Sequence, residues 1–369
     1  MAEQTLKIQN CDLSKVTKCM LPLIEANQII PILSCLKITA KQDQVHILAS
    51  DAEHEIHATI PIADPVKKEK TFCLSAKTLA DICRVTEGDK AISFTEQQAW
   101  IKVDTSHSTI TLANLADQSF PTLSQDDHNQ TFQMSASTLK TMITDTEFSL
   151  ANEGTKRNIH GLSLHIGNRT ITCTATDGHR LAMTQAKIEQ DINAKCILQR
   201  KFVNLLAKNL SEDEIIRVSI GKKQIKVETS NITMISTLIA GHFPPCDGFI
   251  PNRPECPFTL KSSTLKDALT RSHVLSYDKI RIIQFTGHDD QLEIASQHEN
   301  KESTIESLTI QYQGESFVIR LNSDYLYTAI KCLNKPEITI DVAKDLSRIY
   351  MHENDLGIEK HYLIMSMTQ

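Results

Sequence analysis

One arrangement of apolar and polar positions recurs six times along the chain. An apolar residue is followed by a second two positions later and by a third five positions after that, in blocks that begin at positions 6, 72, 132, 196, 258 and 319. The first two apolar positions alternate with polar ones, as in a half-buried strand. The third opens a helical period, which Leu13, Val16 and Met20 show in the first block. Each block therefore predicts a strand that leads into an amphipathic helix.

Short runs of alternating apolar residues follow the predicted helices. Examples are the pair 91–94 and 100–103 and the pair 215–218 and 224–227, which are typical of neighbouring strands. Each repeat is thus a strand, a helix and further strands. Because one helix does not cover a sheet of that width, two repeats are expected to combine into one domain. Six repeats predict an α+β chain of three similar domains.

Stretches rich in turn-forming residues predict where the domains meet. Positions 121–127 and 243–257 are polar and flanked or interrupted by proline. We therefore expect domains at 1–125, 126–251 and 252–369. Within the repeats a serine often precedes the helix and is expected to cap it. These serines are Ser75, Ser135, Ser262 and Ser323.

A sharp turn is predicted at Asp177-Gly178, after the β-branched run at 171–174. Asp-Gly is a pair that readily turns a chain back with positive φ. The residues that follow, 179–181, place two polar side chains beside an apolar one. Three interpretations are open at this point. Asp177 and His179 form a catalytic or metal-binding pair, or the turn forms one lip of a binding groove, or it is an ordinary hairpin.

Charge is distributed unevenly along the chain. The 369 residues carry a net charge of −6, which by itself argues against nucleic-acid binding. Yet the six predicted helices together hold 13 Lys and Arg against 6 Asp and Glu. The helices either solvate their outer faces or share a cationic surface for a polyanion. They lack the Arg, Asn and Gln clusters that distinguish bases, so nucleic acid would be bound through its backbone, without sequence preference.

Cysteine usage and apolar runs bear on the compartment. The ten cysteines form no Cys-x-x-Cys pair, so we expect small buried thiols rather than disulfides or metal ligands. The chain has no basic region followed by an apolar run at its start and no 18-residue apolar stretch. A cytoplasmic protein without membrane contact, cofactor or metal is therefore expected.

The segment 174–182, Thr-Ala-Thr-Asp-Gly-His-Arg-Leu-Ala, resembles the signature of the bacterial DNA polymerase III beta subunit family, the replicative sliding clamps. Further similar stretches are 30–33, 81–84, 147–151, 241–244 and 362–367. The resemblance implies the DNA clamp fold, in which two crescent-shaped subunits close head to tail into a homodimeric ring around double-stranded DNA. Helices line the hole, and there is no catalytic residue. The ring is a processivity factor that tethers the polymerase.

The resemblance also implies partners and a site for them. Partners are the replicative polymerase catalytic subunit, the clamp loader, translesion polymerases and repair proteins. Each carries a short peptide, with a glutamine and a Leu/Phe end, that enters a groove between the second and third domains. The groove residues carried over by motif are Ile159, Thr176, Gly178, His179, Arg180, Leu181, Pro244, Phe249, Leu363, Met365 and Met367.

Two further surfaces complete the prediction. The residues expected to face DNA are Lys15, Lys77, Arg84, Lys156, Arg157, Arg200, Lys201, Lys208 and Lys266. The resemblance further implies that the dimer interface contains the apolar residues Ile110, Leu112, Val274 and Leu275. Lys102 and His107 are expected to face acidic residues across that interface, namely Glu299, Glu302 and Glu306.

The chain also departs from the family pattern. It has Gly248 where the family usually has a basic residue, Ser366 in place of a proline and Thr368 where an arginine is common. These changes make one side of the groove less cationic, which bears on partner affinity and selectivity. Two alternatives therefore stay open. One is a clamp-like regulator that binds or caps a true clamp, and the other is a metal-dependent hydrolase that uses Asp177 and His179.

Overall fold

Six helices lie where the repeated pattern predicts them, in a computed structural model that describes residues 5–25, 30–88, 90–115, 120–124, 126–127, 129–151, 159–211, 214–272, 281–297 and 303–367. They are α1 (Asn10–Met20), α2 (Ala76–Val85), α3 (Ala136–Thr144), α4 (Arg200–Asn209), α5 (Ser262–Ser272) and α6 (Ser323–Lys331). The predicted apolar faces are buried, as Leu326, Ala329 and Ile330 of α6 illustrate. The helical period is therefore confirmed.

Strands precede and follow the helices. The first twelve are β1 (Leu6–Gln9), β2 (Cys35–Ser50), β3 (His54–Ser75), β4 (Ala91–Gln97), β5 (Trp100–Asp104), β6 (Thr109–Ala113), β7 (Gln130–Ser135), β8 (Leu162–Gly167), β9 (Thr170–Thr176), β10 (Arg180–Lys187), β11 (Ala194–Leu198) and β12 (Ile215–Ile220). The others are β13 (Gln224–Glu228), β14 (Ile232–Thr237), β15 (Cys256–Lys261), β16 (Ile282–His288), β17 (Gln291–Gln297), β18 (Ser303–Thr309), β19 (Gln311–Tyr312), β20 (Phe317–Asn322), β21 (Glu337–Val342), β22 (Arg348–Asp355) and β23 (Ile358–Met365). The paired strands predicted after each helix are thus present.

The helix caps agree with the sequence only in part. Ser75 caps α2 as predicted, because its hydroxyl accepts a hydrogen bond from the backbone of the first turn. The prediction for Ser323 is wrong, since α6 begins at Ser323 itself and Asn322 caps it, accepting from the backbone N of Asp324 at 2.9 Å. Ser262 is likewise the first residue of α5 rather than its cap. An asparagine caps a helix as well as a serine does, so the residue type alone did not fix the position.

The described chain divides into two compact units. The first comprises the described residues of Met1–Ser137 and Lys201–Leu238. It contains a four-stranded sheet in the order β1-β4-β5-β6 and a six-stranded sheet in the order β2-β3-β14-β13-β12-β7. Neighbouring strands run antiparallel, with Met234 of β14 opposite Ile56 of β3. Helices α1 and α2 pack side by side, and their apolar faces join the core of this unit.

The second unit comprises the described residues of Thr138–Arg200 and Ile239–Gln369. A nine-stranded sheet runs in the order β11-β8-β9-β10-β23-β22-β21-β15-β19, beside a four-stranded sheet in the order β18-β17-β16-β20. Helices α5 and α6 pack together, and their core includes Phe258, Phe285 and Tyr362. In the large sheet β10 lies directly beside β23. This pairing positions the candidate site.

Both extended sheets cross the predicted domain boundaries. Strand β14 of the predicted second domain pairs with β3 of the first, and β10 pairs with β23 of the third. The hydrogen-bonded units therefore do not coincide with the three predicted domains, whose limits stay predictions. Strand pairing between distant segments leaves no local trace in the sequence, which is why the sheet order was not predicted.

The thiols follow the expectation of burial in part. Six of the ten cysteines are buried, three are half-buried and all ten are free thiols. Cys11 is exposed, because it lies on the outer side of α1. No helix within the described ranges is long and apolar enough to cross a bilayer.

A buried ionic cluster lies on one face of the large sheet of the second unit. The side chain of Lys360 is only 1% exposed, and its Nζ lies 2.7 Å from an Asp145 carboxylate oxygen and 3.8 Å from one of Glu353. The same Nζ donates to the carbonyl oxygen of Cys332 at 2.8 Å. Burial of a lysine is tolerated here because two carboxylates compensate its charge.

Candidate functional site

Strands β9 and β10 are joined by the predicted turn at Asp177-Gly178. Gly178 has a φ of +91°, which favours glycine. Asp177 Oδ1 accepts from the backbone N of His179 at 3.0 Å and of Arg180 at 3.1 Å. The Thr176 hydroxyl donates to the Arg180 carbonyl at 2.7 Å. The turn is therefore held by its own polar side chains.

Arg180 is fixed from both sides. Its Nε donates to Asp177 Oδ2 at 2.9 Å, and its Nη1 donates to Thr328 at 3.3 Å. The guanidinium carbon lies 4.2 Å from the ring centroid of Tyr325 and 5.5 Å from that of Phe148. Both oxygens of Asp177 are thus used to build the turn. This arrangement gives Asp177 a structural role and does not support a catalytic or metal-binding pair.

An apolar surface extends from this turn along β10 and β23. Leu181 and Leu363 are directly opposite each other across the strand pair, and both are buried with Met183. Met365, at the end of β23, donates its backbone N to the carbonyl oxygen of His179 at 2.8 Å. The end of β23 is therefore attached to the turn, and side chains from two distant segments share one face.

A cavity of about 740 Å³ opens on this surface. Its lining consists of Ile159, Thr176, Gly178, Arg180, Leu181, Pro244, Cys246, Phe249, Leu363 and Met365. The structure thus brings together nine of the eleven residues assigned to the partner groove. His179 and Met367 are not part of the lining; His179 is exposed, and Met367 donates its backbone N to the Arg320 carbonyl at 2.8 Å. Mostly apolar walls with a few polar groups suit an extended peptide.

Cys246 lines the cavity, although sequence reasoning did not single it out. Its thiol lies 3.4 Å from the carbonyl oxygen of Pro244 and packs with Leu181 and Leu363. Burial, and then the charge of Asp247, raises the pKa of Cys246 to about 11, so the thiol stays protonated and apolar. Its place between Pro244 and Phe249 in the chain was the available signal.

Three of the residues predicted to face DNA are exposed lysines on helices of the first unit. They are Lys15 on α1, Lys77 on α2 and Lys208 on α4. Arg84 is also exposed, and its guanidinium pairs with Asp81 at 2.9 Å. These side chains are exposed, whereas other faces of the same helices are buried.

Lys201, another of the predicted basic residues, is held by two carboxylates. Its Nζ lies 2.7 Å from both Glu25 and Asp51. Burial raises the pKa of Asp51, but hydrogen bonds to His54 and Lys201 outweigh burial and hold that pKa below its ordinary range. Two carboxylates thus already compensate the charge of Lys201, which the sequence did not indicate.

The other predicted basic residues belong to the second unit or cannot be placed. Arg200 donates to the carbonyl oxygens of Leu150 and Ala151, at 2.7 and 2.9 Å. Lys266 is half-buried on α5. Lys156 and Arg157 lie outside the described residues.

Two of the four apolar residues predicted at the dimer interface lie within the described part of the chain. Ile110 and Leu112 are half-buried on β6, which is the edge strand of its sheet. Val274 and Leu275 lie outside the described residues, as do Glu299 and Glu302. Of the remaining predicted charges, Lys102 pairs with Asp104 and Glu306 pairs with Arg271, whereas His107 is exposed.

Comparison with known proteins decides the family. Models of the N-terminal, central and C-terminal domains of the DNA polymerase III beta subunit match residues 5–124, 133–245 and 248–368. The chain belongs to the DNA polymerase III beta subunit family. The beta subunit is the sliding clamp, a non-catalytic processivity subunit in DNA replication, and the chain has its three-domain fold.

Curated relatives support this assignment over nearly the whole beta subunit. The beta sliding clamp of Pseudomonas putida is 26% identical over 98% of both chains. That of Staphylococcus aureus is 27% identical over 87% of this chain and 88% of its own. Similarity is thus spread along the chain and is not confined to the segment at 174–182.

Solved structures share the beta-subunit fold. The Pseudomonas aeruginosa subunit superposes with a TM-score of 0.94 at 24% identity, covering 99% of this chain and 100% of its own. The same clamp bound to griselimycin also gives 0.94 at 24% identity, with both chains fully covered. The Bacillus subtilis clamp gives 0.92 at 21% identity and covers both chains fully.

Two of the positions at which the chain departs from the family pattern lie next to residues that line the cavity. Gly248 belongs to a short 3₁₀ turn, Asp247–Phe249, and a Cβ added there would meet no atom within 4 Å. Ser366 donates its backbone N to the Ser347 carbonyl at 2.8 Å, a bond that a proline cannot make. Thr368 lies outside the described residues.

Proposed function

We propose that two copies of this chain close head to tail into a ring around double-stranded DNA and tether DNA polymerases to it. The observation that carries the proposal is the apolar cavity of about 740 Å³ at β10 and β23, in a chain of the beta subunit family. A tether needs a docking site for the enzyme it holds, and this cavity has the size of a ligand site. The proposed domains are 1–125, 126–251 and 252–369.

The cavity is the proposed site for partner peptides. Leu181 and Leu363 form the buried, apolar bottom of the cavity, while Phe249 is 53% exposed and available for contact. Met365 and Cys246 add flexible, polarizable walls that adapt to several ligands. The proposed partners are the replicative polymerase catalytic subunit, the clamp loader, translesion polymerases and repair proteins, in the cytoplasm.

DNA is proposed to pass along the basic helices. The exposed Lys15, Lys77 and Lys208 are suited to transient contacts with phosphates, and their spacing on separate helices gives no base-reading cluster. Such contacts weaken as salt rises because bound counterions are released. Weak charge attraction together with a closed ring permits sliding.

Ring closure is proposed to use exposed sheet edges. Strand β6 is the edge of one four-stranded sheet, and β18 is the edge of the other, where Ile305 is 65% exposed. Unpaired edges are normally covered or paired. We place Ile110 and Leu112 against Val274 and Leu275 of the partner subunit.

Primer extension tests the proposed function. The assay uses long single-stranded circles with one primer, together with the cognate polymerase and clamp loader. Adding this chain should lengthen the products made in one binding event. The Met365→Ala/Phe249→Ala variant should lose this effect while light scattering still shows a dimer. Leu356→Ala is the matched control, because Leu356 is 96% exposed and does not line the cavity.

Three outcomes would contradict the proposal. Products of unchanged length, with loader and polymerase active on another clamp, would exclude processivity. Products that become shorter would identify a regulator that blocks a true clamp. Full stimulation by the double variant would move the partner site away from the cavity.

A further inference from the structure

Two histidines lie opposite each other on the second unit's large sheet. His352 of β22 and His361 of β23 are direct cross-strand partners, and their ring centroids are 4.8 Å apart. Glu359 is two residues before His361 on the same face of β23, and its Oε2 is 4.0 Å from His361 Nε2. One ligand atom from each of the three side chains lies within 4.8 Å of the other two.

We propose that His352, Glu359 and His361 bind one divalent transition-metal ion of the zinc class. Two imidazoles and one carboxylate are a donor set that zinc takes in proteins, with a further position left for water. Ligand atoms around a tetrahedral zinc are about 3.4 Å apart, given bonds of about 2.1 Å. His352 and Glu359 are both exposed, so rotation of their side chains can supply the remaining approach.

A hydrogen bond with Tyr350 orients the imidazole ring of His361. The Tyr350 hydroxyl oxygen lies 2.7 Å from His361 Nδ1. With Nδ1–H donating to that oxygen, the lone pair of Nε2 is left for the ion, on the side where Glu359 lies. A hydrogen bond to the second ring nitrogen is the usual means by which proteins orient a metal-binding histidine.

The surroundings leave room for an ion and its water. Tyr350, His352 and His361 line an open cavity of about 390 Å³. Asp341 also lines it, but one of its oxygens already accepts from the backbone N of Glu255 and of Cys256, each at 2.8 Å. Asp341 is therefore not one of the proposed ligands.

The site is distinct from the peptide cavity and independent of the proposed clamp function. Glu359 and His361 lie on β23, the strand that also carries Leu363 and Met365, but His361 is two residues from Leu363, and His352 lies on β22. An ion that joins β22 to β23 would stabilise β23, the strand that contributes Leu363 and Met365 to the cavity. The sequence had indicated no metal site, because the ligands come from opposite sides of a hairpin.

Metal titration of the full-length protein tests the proposal. After chelator treatment, calorimetry with Zn²⁺ should give one ion per chain, and Zn²⁺ should raise the melting temperature. His352→Gln and Glu359→Gln should each weaken binding at least tenfold, and Tyr350→Phe about tenfold. His288→Gln is the matched control, since His288 is half-exposed on the β16–β17 hairpin outside the cluster.

Spectroscopy distinguishes an ion bound at this site from an ion bound by cysteine thiolates. Co²⁺ in the site should show visible bands of a tetrahedral ion without thiolate charge transfer, and His352→Gln should abolish them. Zinc binding weaker than about 100 μM, equal affinity in His352→Gln, or a thiolate spectrum would each overturn the proposal. Circular dichroism of each variant shows whether a loss of binding comes from loss of fold.

Discussion

Asp177→Ala removes the acceptor on which the β9–β10 turn depends. Two backbone N–H groups lose Oδ1, and Arg180 loses the Oδ2 that lies 2.9 Å from its Nε. A neutral hydrogen bond contributes about 0.5–1.5 kcal/mol and one to a charged group about 1.5–3 kcal/mol. The side chains of Arg180 and Asp177 are only 15% and 14% exposed, so solvent screens this pair little. We expect the free energy of unfolding to fall by about 2–4 kcal/mol.

Asp177→Asn is the matched comparison. The amide oxygen still accepts from both backbone N–H groups, but the amide nitrogen replaces Oδ2 and cannot accept from Arg180 Nε. The charge and that one hydrogen bond are therefore lost, at about 1.5–3 kcal/mol, which is less than in Asp177→Ala. Urea unfolding followed by circular dichroism measures both variants. Because Arg180 lines the cavity, Asp177→Ala should also weaken binding of a Gln-Leu-x-Leu-Phe peptide about tenfold, or about 1.4 kcal/mol. A loss of stability below about 0.5 kcal/mol, or equal losses in the two variants, would refute the structural role of Asp177.

Three further predictions concern stability, each measured by urea unfolding. Lys360→Met should lower the free energy of unfolding by about 3–5 kcal/mol, because two carboxylates lose their buried partner. Adding Glu353→Gln should restore part of this stability, and a loss under about 1 kcal/mol in Lys360→Met would contradict the prediction. The pKa of Asp51 lies below its ordinary value, so its contribution is present above about pH 4 and lost as pH falls through the folded-state pKa. Asp51→Asn should therefore lose less stability on acidification than the parent chain; an equal loss would be contrary to expectation. Gly178→Ala should lower the free energy of unfolding by about 1 kcal/mol, because residue 178 has a positive φ. Gly161→Ala should lower it by about 1–3 kcal/mol, because the added Cβ would collide with a backbone carbonyl oxygen. A larger loss in Gly178→Ala than in Gly161→Ala would contradict the geometry.

Local periodicity explains how much of the fold was predictable. Each helix buries a face that its own sequence marks, as Leu13, Val16 and Met20 do in α1. The Asp177-Gly178 turn was predictable for the same reason, since positive φ is a property of one residue. Features that depend on neighbours within about four residues are thus contained in the sequence pattern.

Features that depend on distant neighbours were not predictable in this way. Arg180 is held by Tyr325 and Phe148, which are far from it in the chain. Lys201 was expected to face DNA, but the carboxylates of Glu25 and Asp51 flank it because three separate segments meet there. The resemblance to the family signature indicated nine of the cavity residues, and only the fold added Cys246.

Retention on DNA of different topology tests the central claim most directly. The chain is loaded onto a nicked circular plasmid by its clamp loader, and the DNA is then either left circular or cut once with a restriction enzyme. A closed ring stays on the circle and slides off the cut ends, so retention after gel filtration should persist for circular DNA and disappear for linear DNA. Equal retention on both would mean that the chain holds DNA by direct contact, which would contradict a sliding clamp.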